Sequence, residues 1–376
     1  MAKIPSIVEM EEFLLQNSKT ADLVAAGDTH PKSPDTKLTA QDVRHDVSVF
    51  ARVLINVYCG WPFHKEILKR KILRILTNIY NNAHDMTIIE LFEQLKQVIK
   101  IIPDNHINLC MVGHDNFART GLRKIRPNVG ANIANDKDFS IELKDNIGII
   151  AVKTLRKWPT EEQNSFEKQW RKILPKAKML IIDLRNNGGG NSKPTDDLAD
   201  YVLGQDYPLQ RKEFIRNNPD ANAVKKLYKN SDVDKFNVDS TDDPVIFRDD
   251  SADVLPKFDP KKAGFVGPIY VLINGRVMSS AERMCTALRN HPNAKFVGTN
   301  TRGGEVYGYN YAHLLLPHSN MKFNVGCVYR EMFVENFELN GYKPDIKCKD
   351  GQDAFEVALA QCAKQIFLDN TTNTRR

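Results

Sequence analysis

Apolar positions change their period along the chain, and the change divides it. From Asp42 to about Tyr58 they recur at helical spacing, at Val43, Val47, Phe50, Val53, Leu54 and Val57. Thr39 or Asp42 supplies the helix start. Similar spacing predicts helices near 64–81 and 86–100, so residues 1–103 read as an N-terminal helical domain. After Pro103 short apolar runs take over. INLCMV (107–112), NIGIIAV (146–152), KMLIIDL (178–184), GPIYVLING (267–275) and AKFVGTN (294–300) read as strands. KMLIIDL is apolar through its middle, Met179–Ile182, as a strand buried on both faces must be. Helices are predicted over about 160–174, 194–203, 279–290 and 352–368, with the last strands and a turn in 328–347 and a tail at 369–376. Strands and helices in this order, with short turns between them, argue for βαβ units and an α/β domain over 104–368. Residues 205–260 break the rhythm. They are polar, acidic in patches and aperiodic, and read as an insertion, part loop and part irregular helix, in which a substrate-covering lid is one option.

Composition narrows the class of protein. The chain has 376 residues, 41% hydrophobic and 27% charged, as an ordinary soluble protein of two or three domains would. Its net charge is +6, but basic and acidic residues interleave, and no Lys/Arg block reads as a nucleic-acid surface. The N-terminus lacks the apolar run of a signal peptide, and no stretch is long and apolar enough to span a bilayer. The expectation is a cytoplasmic protein with neither membrane nor nucleic acid as partner. Cys59, Cys110, Cys285, Cys327, Cys348 and Cys362 are scattered without CxxC spacing, so they read as core thiols rather than a disulfide frame or zinc site.

Four places could carry chemistry. Ser279 and Ser280 follow the strand YVLING at a strand-to-helix turn. There, free backbone N–H groups and the helix dipole favour a nucleophile or an anion. The same SxxE pattern, Ser279 to Glu282, is also what a plain capping box looks like. Asp183-Leu184-Arg185-Asn186-Asn187-Gly188-Gly189-Gly190 ends a buried strand in a glycine run, where backbone can approach a ligand closely. Asp183 and Arg185 read as an ion pair holding that turn. His106 sits in the polar turn Asp104-Asn105-His106, with His114 as its competitor. Glu338 precedes the turn Gly341–Pro344 and could orient an imidazole; Glu335 is the alternative.

In this order the motifs resemble the S41 serine peptidases, which include the C-terminal processing peptidases and the tricorn core. DLRNNGGGN is similar to the family's DLRxNxGG pattern, Thr301-Arg302-Gly303-Gly304 to its T-x-G-G segment, and Asn340-Gly341-Tyr342-Lys343-Pro344-Asp345-Ile346 to its closing PD turn. The resemblance covers roughly 100–365. It implies a ClpP/crotonase-like α/β core, a serine nucleophile at Ser279 and a peptide or protein substrate. It also implies no metal or organic cofactor, and a homo-oligomer as one possible state. Processing peptidases pair the serine with a lysine of a TxGKG segment; here Gly304 stands at that position. The tricorn-like arrangement implies His106 as base, Glu338 as its orienter, and Gly189 or Gly188 with Ser280 as the oxyanion hole. Residues 113–140 are too few for the PDZ domain many members carry, so none is expected.

Overall fold

The computed structural model describes residues 5–27, 30–122, 126–130, 137–156, 158–204, 213–227, 245–248, 258–307, 311–330 and 337–373. The chain forms two compact units, each assembled from three stretches of sequence. The first comprises Met1–Arg123, Lys212–Asp250 and Val306–Glu331; the second comprises Lys124–Arg211, Ser251–Glu305 and Met332–Arg376.

The first unit holds the helices Ile7–Leu15, Ala40–Arg52, Glu66–Asn81 and Ile88–Ile101. Three start in capping boxes. In the second, for example, Thr39 Oγ1 accepts from Asp42 N–H at 3.2 Å while Asp42 accepts from Thr39 N–H at 2.9 Å. Each buries one face, through Val43, Val47 and Phe50 in one case and Leu91, Leu95 and Val98 in another. The helix expected to reach Tyr58 stops being regular at Arg52 and continues as a single wide turn, Val53–Val57. An antiparallel sheet runs in the order Val24–Ala25, Tyr311–Leu315, Met321–Gly326, Asn108–Met111, Phe117–Arg119. Phe50 stacks on Phe323 with ring centroids 4.2 Å apart, which seats a helix on this sheet.

The stretch 205–260 is more regular where described than the expected loop and irregular helix. Pro219–Leu227 is an α-helix, and Glu213–Arg216 is the central strand of a sheet between Val245–Arg248 and Val328–Arg330. Asp220, buried at the start of that helix, accepts from Arg52 Nη1 at 2.8 Å, Asn56 Nδ2 at 2.7 Å and Thr20 Oγ1 at 2.6 Å. One carboxylate thereby ties the helix to the N-terminal helical region. Residues 205–212, 228–244 and 249–257 lie outside the described residues.

The second unit is the α/β core. Its six strands run in the order Ile346–Lys347, Ala294–Gly298, Ile269–Ile273, Met179–Asp183, Ile147–Val152, Phe139–Lys144. All neighbours are parallel except the last pair. Met179–Asp183 and Ile269–Ile273 are buried throughout, because helices cover both faces. Leu180, Ile182, Val271 and Ile273 pack with Phe166, Trp170, Leu198, Val202 and Met284 on one side. Ile181, Tyr270, Leu272 and Val297 meet Ala354, Ala358 and Cys362 on the other. The alternation is the period-2 geometry of a strand reading out two separate cores. All six cysteines are free thiols. No described helix is long and apolar enough to cross a membrane.

Candidate active site

Two adjacent parallel strands, Met179–Asp183 and Ile269–Ile273, end side by side, with Asp183 opposite Leu272. The loops leaving their carboxyl ends are where a parallel sheet presents its backbone to a ligand. Asn186 N–H donates to Asn274 Oδ1 at 3.0 Å and Asn274 Nδ2 donates to Asn186 Oδ1 at 2.9 Å, so a reciprocal amide pair locks the two loops together. Met278 N–H donates to Asn187 O at 3.1 Å, a second tie. The sequence reading did not single out Asn274. A polar residue closing an otherwise apolar strand is the only local sign of it.

The first loop is built on a buried fork. Arg185 donates through Nε and Nη2 to the two oxygens of Asp183, at 2.9 and 2.7 Å, and its backbone N–H donates to Asp183 Oδ1 at 3.0 Å. Neither side chain is exposed. Nη1 reaches Val129 O and Asp353 Oδ1, so the guanidinium also fixes the start of the C-terminal helix. Beyond it, Gly189 and Gly190 take φ of +91° and +140°, values that side-chain-bearing residues rarely adopt. A Cβ on Gly190 would lie 1.7 Å from Leu155 O, and one on Gly189 would lie 2.8 Å from Ser279 Cβ and 2.9 Å from Ser280 N. Gly189 therefore lets the first loop press against the second at Ser279, and Gly190 lets it press against the Leu155 backbone.

Ser279 itself is held at φ +56°, ψ −127°, one of five described non-glycine residues with positive φ. Such a conformation costs on the order of 1–3 kcal/mol and persists only where surrounding contacts impose it. It stands at the start of the helix Ser280–Leu288, and its side chain makes no capping hydrogen bond. The capping work passes to Glu282, which accepts from Ser279 N–H at 3.3 Å. Ser280 Oγ donates to Gly190 O at 2.6 Å, pinning the first helical residue to the glycine loop. Gly189 N–H donates to Asn187 Oδ1 at 2.9 Å, while Gly188 N–H has no acceptor among the described residues.

Glu282 does more than cap. It is fully buried, and its Oε1 accepts from the Thr301 hydroxyl and from Gly303 N–H at 2.8 Å. Burial, reinforced by the Glu305 carboxylate, pushes its carboxyl up to about 8, against these donors, which favour the anion. Gly304, where a dyad lysine would stand, has φ +115°. The backbone there suits glycine and would strain any side chain.

Glu338 is buried in the short helix Phe337–Asn340. Arg126 Nη2 donates to the carbonyls of Thr301, Leu339 and Asn340, each at 3.2 Å, and holds this helix against the Thr301 turn. Glu335 lies outside the described residues. His106 belongs to the first unit, in the turn between the helix Ile88–Ile101 and the strand Asn108–Met111. Asp104 Oδ1 accepts from His106 N–H at 2.6 Å and Ile107 N–H at 3.2 Å, shaping that turn. It stands 4.0 Å from His106 Nδ1, too far to hydrogen-bond the ring. Burial raises the Asp104 carboxyl to about 7. His114 is exposed and reaches Lys32 O through Nε2 at 3.0 Å. The structure thus gathers Gly189, Ser279 and Ser280 in the second unit. Glu338 lies in the same unit, and His106 in the other.

Among solved structures, the chain is similar to a candidate peptidase from Parabacteroides merdae ATCC 43184, at 17% identity over 85% of this chain and 96% of that one, with a TM-score of 0.58. It is also similar to mature CPAF complexed with lactacystin, at 13% identity over 82% and 94%, with a TM-score of 0.49. No curated protein sequence matches. The family model described as Peptidase family S41 matches residues 146–348, which span the glycine loop, the Ser279 turn and the Glu338 helix. The chain belongs to peptidase family S41.

Proposed function

We propose that this protein is a serine peptidase acting by acyl transfer through Ser279. The observation that carries the reading is the Ser279 backbone. A serine held in a disfavoured backbone conformation at a strand-to-helix turn is what a nucleophile elbow requires and what a structural cap does not. In the proposed reaction Ser279 Oγ attacks the scissile carbonyl carbon of a peptide, and its proton passes to the His106 imidazole. Glu338 orients that imidazole and stabilises its cation. The imidazolium gives the proton to the leaving amine. Water, deprotonated by the same ring, then hydrolyses the ester and restores Ser279. His106 and Glu338 take these roles from the family resemblance. Ser280 N–H and Gly188 N–H are the proposed oxyanion donors, since Gly189 N–H already serves Asn187. Losing one such donor costs on the order of 100- to 1000-fold in rate. With glycine at 304, no Ser–Lys dyad is proposed.

A fluorophosphonate probe tests the reading. Wild type should label at one serine, and Ser279→Ala and His106→Ala should each abolish labelling while folding normally. Folded wild type that does not label, or labelling that survives Ser279→Ala, overturns it. The first result would leave an inactive S41 fold that holds an extended peptide or apolar ligand.

A further inference from the structure

His45, on the helix Ala40–Arg52, and His318, in the turn between the strands Tyr311–Leu315 and Met321–Gly326, face one another in the first unit. His45 Nδ1 lies 2.9 Å from His318 Nε2. The outer nitrogen of each ring is held by a carboxylate, His45 Nε2 by Asp22 Oδ2 at 3.1 Å and His318 Nδ1 by Asp42 Oδ1 at 3.0 Å. An ionised carboxylate only accepts, so each outer nitrogen carries the ring hydrogen. In neutral imidazoles both inner nitrogens then present lone pairs to each other across 2.9 Å. An electrophile must sit between them.

We propose that His45 and His318 form a binding site for a late first-row transition-metal dication, in a part of the molecule the peptidase reading does not use. A carboxylate on the far nitrogen of each ring is the outer shell that metal-bound histidines carry, and it fixes the tautomer that exposes the ligating lone pair. At metal–nitrogen distances of about 2.0–2.1 Å, the observed spacing closes an angle of about 90° at the metal, a cis pair in square-planar or octahedral geometry. That favours Cu2+ or Ni2+. Tetrahedral Zn2+ would need the two nitrogens about 3.3 Å apart. The remaining positions fall to water in a pocket of about 500 Å³ lined by Gln16, Asn17, Asp22, Gln41 and Asp42 beside the two rings. The frame is held independently of any ion, because Asp46 accepts from the backbone N–H of His318 and Ser319 at 2.9 Å each. Asp22, Asp42 and Asp46 outweigh Lys19 and Lys32 nearby, so the local charge suits a cation.

The test uses the full chain stripped with EDTA and titrated calorimetrically with Cu2+ and Ni2+ alone. One ion should bind per chain. His45→Gln and His318→Gln should each weaken binding at least tenfold, Asp22→Asn and Asp42→Asn by about 10- to 100-fold. His106→Gln should leave binding unchanged. Paramagnetic resonance of the Cu2+ form, made with nitrogen-15 histidine, should show coupling to two imidazole nitrogens, a readout that needs no variant to fold. Wild type that binds no ion, copper coupled to fewer than two imidazoles, or an ion lost in His106→Gln but kept in His45→Gln overturns the proposal.

Discussion

The Thr301 hydroxyl donates to the buried carboxyl of Glu282 and, from the same oxygen, accepts from Tyr342 N–H at 2.7 Å. One side chain therefore joins the Ser279 turn, which Glu282 caps, to the turn that follows the Glu338 helix. Thr301→Val would keep the shape and remove both bonds, leaving Tyr342 N–H without its acceptor and Glu282 Oε1 with Gly303 N–H alone. The expected cost is about 1–3 kcal/mol in urea unfolding. If the junction also aligns Ser279 with Glu338, kcat should fall about ten- to a hundredfold with KM little changed. Thr301→Ser should restore both. A valine variant as stable as wild type would show that the junction carries no strain or support.

How much of this was legible beforehand depends on the reach of each interaction. DLRNNGGG announces its turn because the Asp183–Arg185 fork and the positive-φ glycines act within eight residues. The capping role of Glu282 is equally local. Its second oxygen serves Thr301, nineteen residues on, and no spacing rule reports that. The two compact units are less legible still. Met321 pairs with Met111 and Val328 with Ile215, and strand pairing between such distant segments leaves no periodic trace in either. The hairpin of Tyr311–Leu315 and Met321–Gly326 gives no comparable signal, because its short runs lack the apolar continuity of the core strands.

Glu305 presses on Glu282, and the sign of its effect on stability is fixed. An acid whose folded value is raised, here to about 8, stabilises the fold fully below its ordinary value of 4.5. That contribution is lost as pH rises through 8. Unfolding free energy should therefore decline between about pH 5 and pH 8.5. Glu305→Gln removes the like charge, lowers the Glu282 value and should shallow that decline. Urea titrations at the two pH values measure it, and an unchanged slope would assign the shift to burial alone.

Asp104 separates two roles of one carboxyl. Its Oδ1 organises the His106 turn, while its charge is disfavoured by burial, with a value of about 7. Asp104→Asn keeps the acceptor and discards the charge, so at pH 8 it should match or exceed wild-type stability. Asp104→Ala strands two buried N–H groups and should cost about 1–3 kcal/mol. Equal thermal midpoints for the two variants at pH 8 would deny the turn its dependence on that oxygen.

Ser279 offers the sharpest separation of function from stability. At φ +56° the serine side chain occupies a backbone state that glycine enters freely. Ser279→Ala and Ser279→Gly both remove the hydroxyl, so neither should take a fluorophosphonate label. They differ only in the strain they keep. Alanine retains the Cβ and its cost of on the order of 1–3 kcal/mol; glycine relieves it and gives back part through the freedom of its unfolded chain. The expected net is a glycine variant about 1 kcal/mol more stable than the alanine variant. Finding alanine the more stable of the two would mean that the turn is not held under strain, and would remove the main support for reading Ser279 as a nucleophile rather than a cap.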